Sequence, residues 1–456
     1  MKLVVAAGLS ITLLGSCNIY KKYELPVQES ALIEQYGKAL EQPEDSTAFG
    51  NLDWRQVFTD PVLQDLIAQA LENNVNLENA KLNVDIANAQ LRGAKLNYLP
   101  SVALAPTGSG AKFQDGGAWS WSYTIPAQVN WEIDIFAKLL NAKRGAKAGL
   151  LQSQAYEQAV RSQVIAGVAN CYYSIAMLES QLQLSRATAE NWRQSVEVMK
   201  NLKEAGRLNE SAVVQSRAQY YGILASITDL ETSLAQANNT MSLLLGVMPQ
   251  KWTVTPGAYL SAPAGIDTAV PMRALASRPD VAAAEQTLAV AYYATNSARA
   301  AFYPGLNITA NGGFTNSLGS MIVNPGKWFI NLGASLVAPL FSRGANIAGL
   351  QAAKARQQQA LNNFEHTIMS AAADVSDALT AYENSRTKAS LLAEQTQNLE
   401  KSVEYTQELL TLGTSTYLEV LTAQTNLLSS QMGELSCRLA STQAVINLYQ
   451  NLGGGR

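Results

Sequence analysis

The chain has 456 residues, enough for one large core or two domains, and a formal net charge of -3. It lacks the basic excess that nucleic-acid binding requires, and no nucleic-acid partner is expected. Only 15% of the residues are charged, which suits helices packed on helices with neutral, wetted faces better than a soluble enzyme.

The first 17 residues, MKLVVAAGLSITLLGSC, begin with a positive charge at Lys2 and continue with an apolar run from Leu3 to Leu14. That run is too short to cross a bilayer, so residues 1–16 read as an export signal. Small residues before a cysteine resemble a bacterial lipobox, which makes Cys17 the lipid-bearing first residue of the mature chain. No later segment has 18 consecutive apolar residues, so a membrane crossing would have to be a closed β-barrel. Residues 17–60 read as a lipidated, extended N-terminal segment.

Proline breaks helix interiors, and none of the 14 prolines lies between Pro126 and Pro249 or after Pro339. Both gaps carry coiled-coil seams in steps of four and three. The first runs Val164, Val168, Cys171, Ile175, Leu178, Leu182, Ser185, Ala189, Trp192, Val196, Met199. The second, from Ala371 to Thr406, repeats it position for position with an offset of 207. A return helix carries its own seam from Leu421 through Thr425, Leu428 and Met432 to Tyr449. Cys171 and Cys437, inside these patterns, read as packed thiols. The chain is therefore a tandem repeat of helix, strand, strand, long helix, helix, over residues 61–249 and 271–456, with 250–270 as linker. Gly206 and Gly413 end the long helices, and NLGGG (451–455) reads as a helix stop before a frayed tail.

Four segments alternate with period two: about 101–110, 119–131, 306–315 and 328–338. In WSYTIPAQVNW (121–131) every odd residue is apolar and every even one is polar or proline. Ten residues suffice to cross a bilayer as a tilted strand. Trp119, Trp121, Trp131 and Trp328 lie near segment ends, where a membrane girdle belongs. Pro126 counts against a strand unless it marks a bulge or bend. The intervening loops, 111–118 and 316–327, are polar and glycine-rich. Four strands cannot close a barrel, and an open edge in lipid leaves backbone groups unpaired. Two copies supply eight strands and three supply twelve; a water-filled pore favours three. A soluble four-stranded sheet packed on helices remains the alternative.

The order of these pieces resembles the TolC-type outer-membrane efflux proteins (outer membrane factors), in the NodT-like lipoprotein branch. The resemblance is carried by DWRQVFTDPVLQDLIAQALENNVNLENAKLNVDIANAQLRGAKLNYLPS (53–101), GTSTYLEVLTAQTNLL (413–428) and INLYQNLGGG (446–455). It implies a mainly α protein with a small transmembrane β part. The assembly would be a homotrimer with a 12-stranded β-barrel on a 12-helix coiled-coil α-barrel. It would be lipid-anchored in the bacterial outer membrane and extend into the periplasm. It implies a passive exit duct reached through a periplasmic membrane-fusion adaptor from an inner-membrane pump of the RND class. The turns around Gly206, Arg207, Gly413 and Thr414 would meet the adaptor. Family members narrow the tunnel with two carboxylates after the second turn. Here Glu419 holds the first position and Thr422 replaces the second, so one carboxylate ring is carried over at the channel constriction.

No enzyme motif is present, and no cofactor is expected besides the lipid on Cys17. The only histidine, His366, has no metal-ligand set around it on its helix. Two other readings stay open: the exit channel of a type I protein secretion system, and a lipid-anchored periplasmic coiled-coil spacer without a pore.

Overall fold

The computed structural model describes residues 20–43, 49–112, 119–259, 272–317 and 327–455. The expected signal (1–16), Cys17, most of both inter-strand loops and the linker from 260 onward lie outside the described residues. Four N-terminal helices come first: α1 (Ala31–Leu40), α2 (Trp54–Val57), α3 (Pro61–Asn73) and α4 (Val75–Leu96). Strands β1 (Ser101–Leu104), β2 (Thr107–Ala111) and β3 (Ser120–Ile133) follow, then α5 (Lys138–Glu204) and α6 (Glu210–Leu244). The second half holds α7 (Met272–Ala276), α8 (Pro279–Ala300), β4 (Gly305–Ser317), β5 (Lys327–Val337), α9 (Ala345–Thr411) and α10 (Tyr417–Asn451).

The repeat in the sequence reappears as equal elements. Helices α5 and α9 each have 67 residues, and α6 and α10 each have 35. Each long helix ends in a Schellman motif, because glycine alone adopts the left-handed conformation there without strain. Gly206 has φ 72° and Gly413 φ 76°. The Arg207 N–H donates to the Leu202 carbonyl at 2.9 Å, and the Thr414 N–H to that of Leu409 at 3.0 Å.

The chain falls into two compact units, and each draws on both halves of the sequence. The sheet unit is Met1–Glu29, Leu82–Gln154 and Ala283–His366; the helical unit is Ser30–Lys81, Ala155–Ala282 and Thr367–Arg456. The reason lies in the pairing: β3 of the first half pairs with β4 of the second along twelve residues, from Ser122↔Ser317 to Ile133↔Leu306.

In the helical unit the first seam is buried at Leu182, Ser185, Ala189, Trp192, Val196 and Met199, while the second is only half-buried at Ala389, Leu392, Leu399, Val403 and Thr406. A separate core gathers Phe58, Leu63, Ile67, Tyr172 and Ile446. The return seam departs from expectation at Thr425, which is exposed, with its hydroxyl donating to the Leu421 carbonyl at 2.9 Å. Asp60 caps α3: one carboxylate oxygen accepts from the Val62 N–H at 2.9 Å. The other accepts from the Tyr172 hydroxyl at 2.7 Å, which in turn accepts from the Thr255 N–H at 2.9 Å. Burial works to raise the Asp60 pKa, but these hydrogen bonds outweigh it and hold the carboxyl below its ordinary range.

Arg278 is a second buried anchor. It donates to Asp280 at 2.7 Å and Asp374 at 3.1 Å, and to the carbonyls of Ala371 and Asn451 at 3.3 Å each. The tail is not frayed. Gly453, Gly454 and Gly455 are buried, and the Ser162 hydroxyl donates to the Gly454 carbonyl at 2.5 Å. A Cβ at Gly454 would meet the Tyr449 ring at 2.5 Å, so the glycines stop the helix and also let bare backbone pack beside an aromatic ring.

Candidate functional site

The sheet order is β1–β3–β4–β5, with β2 also paired to β3, all antiparallel. Directly opposed residues share a face, so the register decides whether the sheet is one-sided. Val129 faces Val102 on one flank and Ala310 on the other, and Ala310 faces Leu332. Trp131 opposes Ile308, Ile125 opposes Phe314, and Phe314 opposes Trp328. The other face joins Asn130 to Thr309, Gln128 to Asn311 and Asn311 to Asn331. Phe329 and Val337 of β5 are the apolar exceptions on that polar face.

The apolar face is largely open in the single chain. Leu332 is 80% exposed and Trp328 73%, with Val102, Leu104, Ile330 and Leu336 also exposed. Tyr123 alone on this face of β3 is buried. Among the described residues, β1 with β2 and β5 are edge strands, each paired on one side only.

The first expected strand is in fact two, separated at Ala105–Pro106. The facing residues on β3 are Ile125 and Pro126. Proline brings no N–H to a ladder, and a single bond, Ala105 N–H to the Pro126 carbonyl at 3.0 Å, bridges the gap. Pro126 therefore sits inside a continuous β3, and it is the partner that is interrupted, with the register unchanged across the gap. On its other flank stands Gly313, whose added Cβ would fall 2.1 Å from the Ile125 carbonyl oxygen.

Aromatic side chains mark both ends of the strands. At the loop end, Trp119 and Trp121 stack with centroids 5.7 Å apart, and Trp328 is opposite Phe314. At the helix end, Trp131 donates its indole N–H to the Tyr98 carbonyl at 2.9 Å, and Phe136 stacks on Tyr303 at 4.9 Å. From Trp121 to Trp131 the strand rises about 34 Å, or about 25 Å along the normal of a membrane it crosses at 45°. The aromatic partners Tyr98, Phe136 and Tyr303 were not singled out from the sequence; their signal is position, just outside the strands.

The two helical turns lie in the helical unit and differ in chemistry. Around Gly206, exposed Arg207 accompanies an ion pair between Lys203 and Glu210 that spans the turn. Around Gly413, Thr414 is exposed and its hydroxyl donates to the Leu409 carbonyl at 3.2 Å; Leu412 and Leu418 point outward. Glu419 stands at the third position of α10. Its carboxylate accepts from the Ser415 hydroxyl and from the Thr416 backbone N–H at 3.3 Å. The Ser415 bond first, then the Thr416 N–H, pull its pKa below the ordinary carboxylate value. Thr422 donates its hydroxyl to the Leu418 carbonyl at 2.7 Å. Beneath the turns the Ser216 hydroxyl lies 2.8 Å from the buried Tyr417 hydroxyl. Among the described residues no group of three His, Cys, Asp or Glu side chains could hold a metal, and no helix is long and apolar enough to cross a membrane.

A one-sided sheet with aromatic ends, fed by four long helices in two equal pairs, is the architecture of an outer-membrane channel subunit. The chain belongs to the outer membrane efflux protein family, whose pattern it matches over residues 66–247 and 270–454. It is an outer-membrane component of an efflux system. It is 29% identical to the cation efflux system protein CusC of Escherichia coli O157:H7 over 442 residues, spanning 96% of this chain and 94% of that one. It is 27% identical to the toluene efflux pump outer membrane protein TtgC of Pseudomonas putida, over 100% of this chain and 96% of the relative. A crystal structure of CusC superposes with a TM-score of 0.82 at 27% identity, covering 95% of this chain and 98% of that one.

Proposed function

We propose that three copies of this chain close a twelve-stranded barrel, the β5 edge of each pairing with the β1–β2 edge of the next. The observation that carries this is the sheet itself: apolar residues fill one face, that face is open, and an edge strand remains unpaired on either side. In lipid, unpaired backbone groups cost several kcal/mol each, so closure by further copies removes the penalty. The apolar face then meets lipid between the girdles of Trp119, Trp121, Trp328 and of Trp131, and the Asn, Gln, Ser and Thr face lines water. Cys17 carries the lipid anchor.

In this reading the assembly is a passive exit duct for small molecules. The turns at Gly206–Arg207 and Gly413–Thr414 meet a periplasmic adaptor, and an inner-membrane RND-type pump supplies the energy. Three Glu419 carboxylates ring the narrow end above Thr422. Relatives of nearly equal similarity are named for a cation and for toluene. The pump, not the wall, accordingly chooses the cargo. The test is reconstitution of the full-length protein: a trimer by native mass spectrometry and stable single-channel conductance in planar bilayers are expected. A monomer that stays soluble without detergent once Cys17 is replaced would overturn the duct.

A further inference from the structure

A cleft of about 650 Å³ lies in the sheet unit among the C-terminal turns of α4, the first turns of α5, and α8. Five cations line it: Lys22, Lys95, Lys143, Arg144 and Lys147. No carboxylate lines it, and among the described residues none of the five is in an ion pair. Its floor is apolar, formed by Leu91, Leu140 and Leu151 with Ala148 and Ala289. Glu285 acts on Tyr23 at the rim, and the Tyr98 hydroxyl donates to Asp134 at 3.5 Å. Lys143 rests over the Tyr98 ring at 5.7 Å. Uncompensated positive charge around a greasy floor calls for an anion with a hydrocarbon body.

Two observations set this cleft beside the helix-side end of the sheet and against the N-terminal segment. First, α5 begins five residues after β3 ends, so Lys143 and Arg144 lie within about 10 Å, along the helix axis, of its first turn. Second, the N-terminal segment docks on the rim. Arg144 donates to the Tyr20 carbonyl at 3.1 Å, and the Tyr23 N–H donates to the Tyr293 hydroxyl at 3.0 Å. Cys17, the expected lipid-bearing residue, is three residues before Tyr20 in the sequence.

We propose that this cleft binds an anionic glycerophospholipid of the inner leaflet of the outer membrane. The phosphate sits among Lys95, Lys143 and Lys147, and acyl chains lie on Leu91, Leu140 and Leu151. The acylated Cys17 is a poorer occupant because its linkage carries no negative charge. The inference rests on the membrane-spanning reading of the sheet and on lipidation of Cys17.

The test uses the full-length assembled protein in detergent, titrated with dioleoylphosphatidylglycerol or dioleoylphosphatidylcholine and read by native mass spectrometry. Phosphatidylglycerol should bind preferentially. The triple variant Lys95→Gln/Lys143→Gln/Lys147→Gln should lower its occupancy by about tenfold or more, since it removes three cations from beside the anionic headgroup. Its conductance should match that of the parent. Equal binding of both lipids, unchanged binding in the variant, or full displacement by millimolar inorganic phosphate would overturn the proposal. Should the variant not assemble, a photoactivatable phosphatidylglycerol on the parent protein decides. Labels on residues 91–95 and 140–151 support the site; labels elsewhere, or none because a second copy covers the cleft, sink it. Lipid preference without conductance would sink the duct alone.

Discussion

Tyr449 and Trp328 are both large aromatic side chains, and they meet opposite fates. Tyr449, in the helical unit, is 2% exposed; its hydroxyl donates to the Leu52 carbonyl at 2.7 Å and accepts from the Gly455 N–H at 3.0 Å. Phe49 and Phe58 stand edge-on to its ring at 5.5 and 5.9 Å. Trp328, in the sheet unit, stands open to its surroundings. The helical unit buries a large core within one chain, around Phe58, Leu63, Ile67, Tyr172 and Tyr449, while Leu391 and Leu409 on its helices stay exposed. The sheet arranges its hydrophobic residues just as regularly and leaves them exposed in the single chain. Burial by packing and, in the proposed barrel, burial by lipid are two solutions to the same transfer free energy.

The largest effect should come from the sheet, where neighbouring glycines offer an internal control. Gly313 is on the polar face against Pro126, and an added Cβ has backbone within 2.1 Å. Gly312 is on the apolar face, where the nearest atoms to an added Cβ are 3.7 Å away. Gly313→Val is expected to cost about 3 kcal/mol or more through forced backbone movement, and to abolish assembled channel in outer-membrane fractions. Gly312→Val should assemble normally. Equal behaviour of the two variants would mean that the close approach of Gly313 to Ile125 and Pro126 does not govern strand pairing.

In the helical unit the matching weak point is polar. Arg278→Met removes the donor to two carbonyls, Ala371 and Asn451, and leaves Asp280 and Asp374 without their cation. Both carboxylates remain about half exposed and can be rehydrated, so the buried carbonyls dominate the loss. The expected destabilisation is about 2 kcal/mol, read as an earlier loss of helical circular dichroism in denaturant, with partial recovery in Arg278→Lys. A helical unit indifferent to Arg278 would show that apolar seams alone hold it.

These two sites also show how far the sequence could be read. The seams, the strands and the Gly206 and Gly413 turns follow from local rules: periods of 3.5 and 2, and a residue free to turn left-handed. Pro126 carried a warning, but its resolution needed Pro106 and Gly313, which are distant in sequence and adjacent only through strand pairing. Arg278 gave no local signal, because its partners Asp374 and Asn451 lie 96 and 173 residues away. Asp374 stays half exposed while one oxygen serves Arg278. The basic cleft collects residues from four separate stretches. Thr425, a seam position by spacing, is exposed because spacing reports which residues share a stripe, not how far a neighbouring helix covers it.

The smallest expected effect separates two roles of Glu419, a cap for α10 and a charge at the narrow end of the proposed duct. Glutamine can still accept from the Thr416 N–H, as either residue can in a capping box, but it brings no charge. Glu419→Gln should therefore keep slow hydrogen exchange at the Thr416 amide, whereas Glu419→Ala should speed it. The charge has its own signature. Because the folded carboxyl titrates below its ordinary value, the stabilisation of the turn is present above that value and fades as pH falls through the folded pKa. Glu419→Gln should erase that acid dependence. If the ring also gathers cations, both variants should lower cation selectivity in bilayers by a similar amount, because both remove the three charges. If only Glu419→Ala alters the channel, the residue serves the turn, and the narrowing depends on helix packing around Tyr417 and Leu421, both buried at the foot of the same turn.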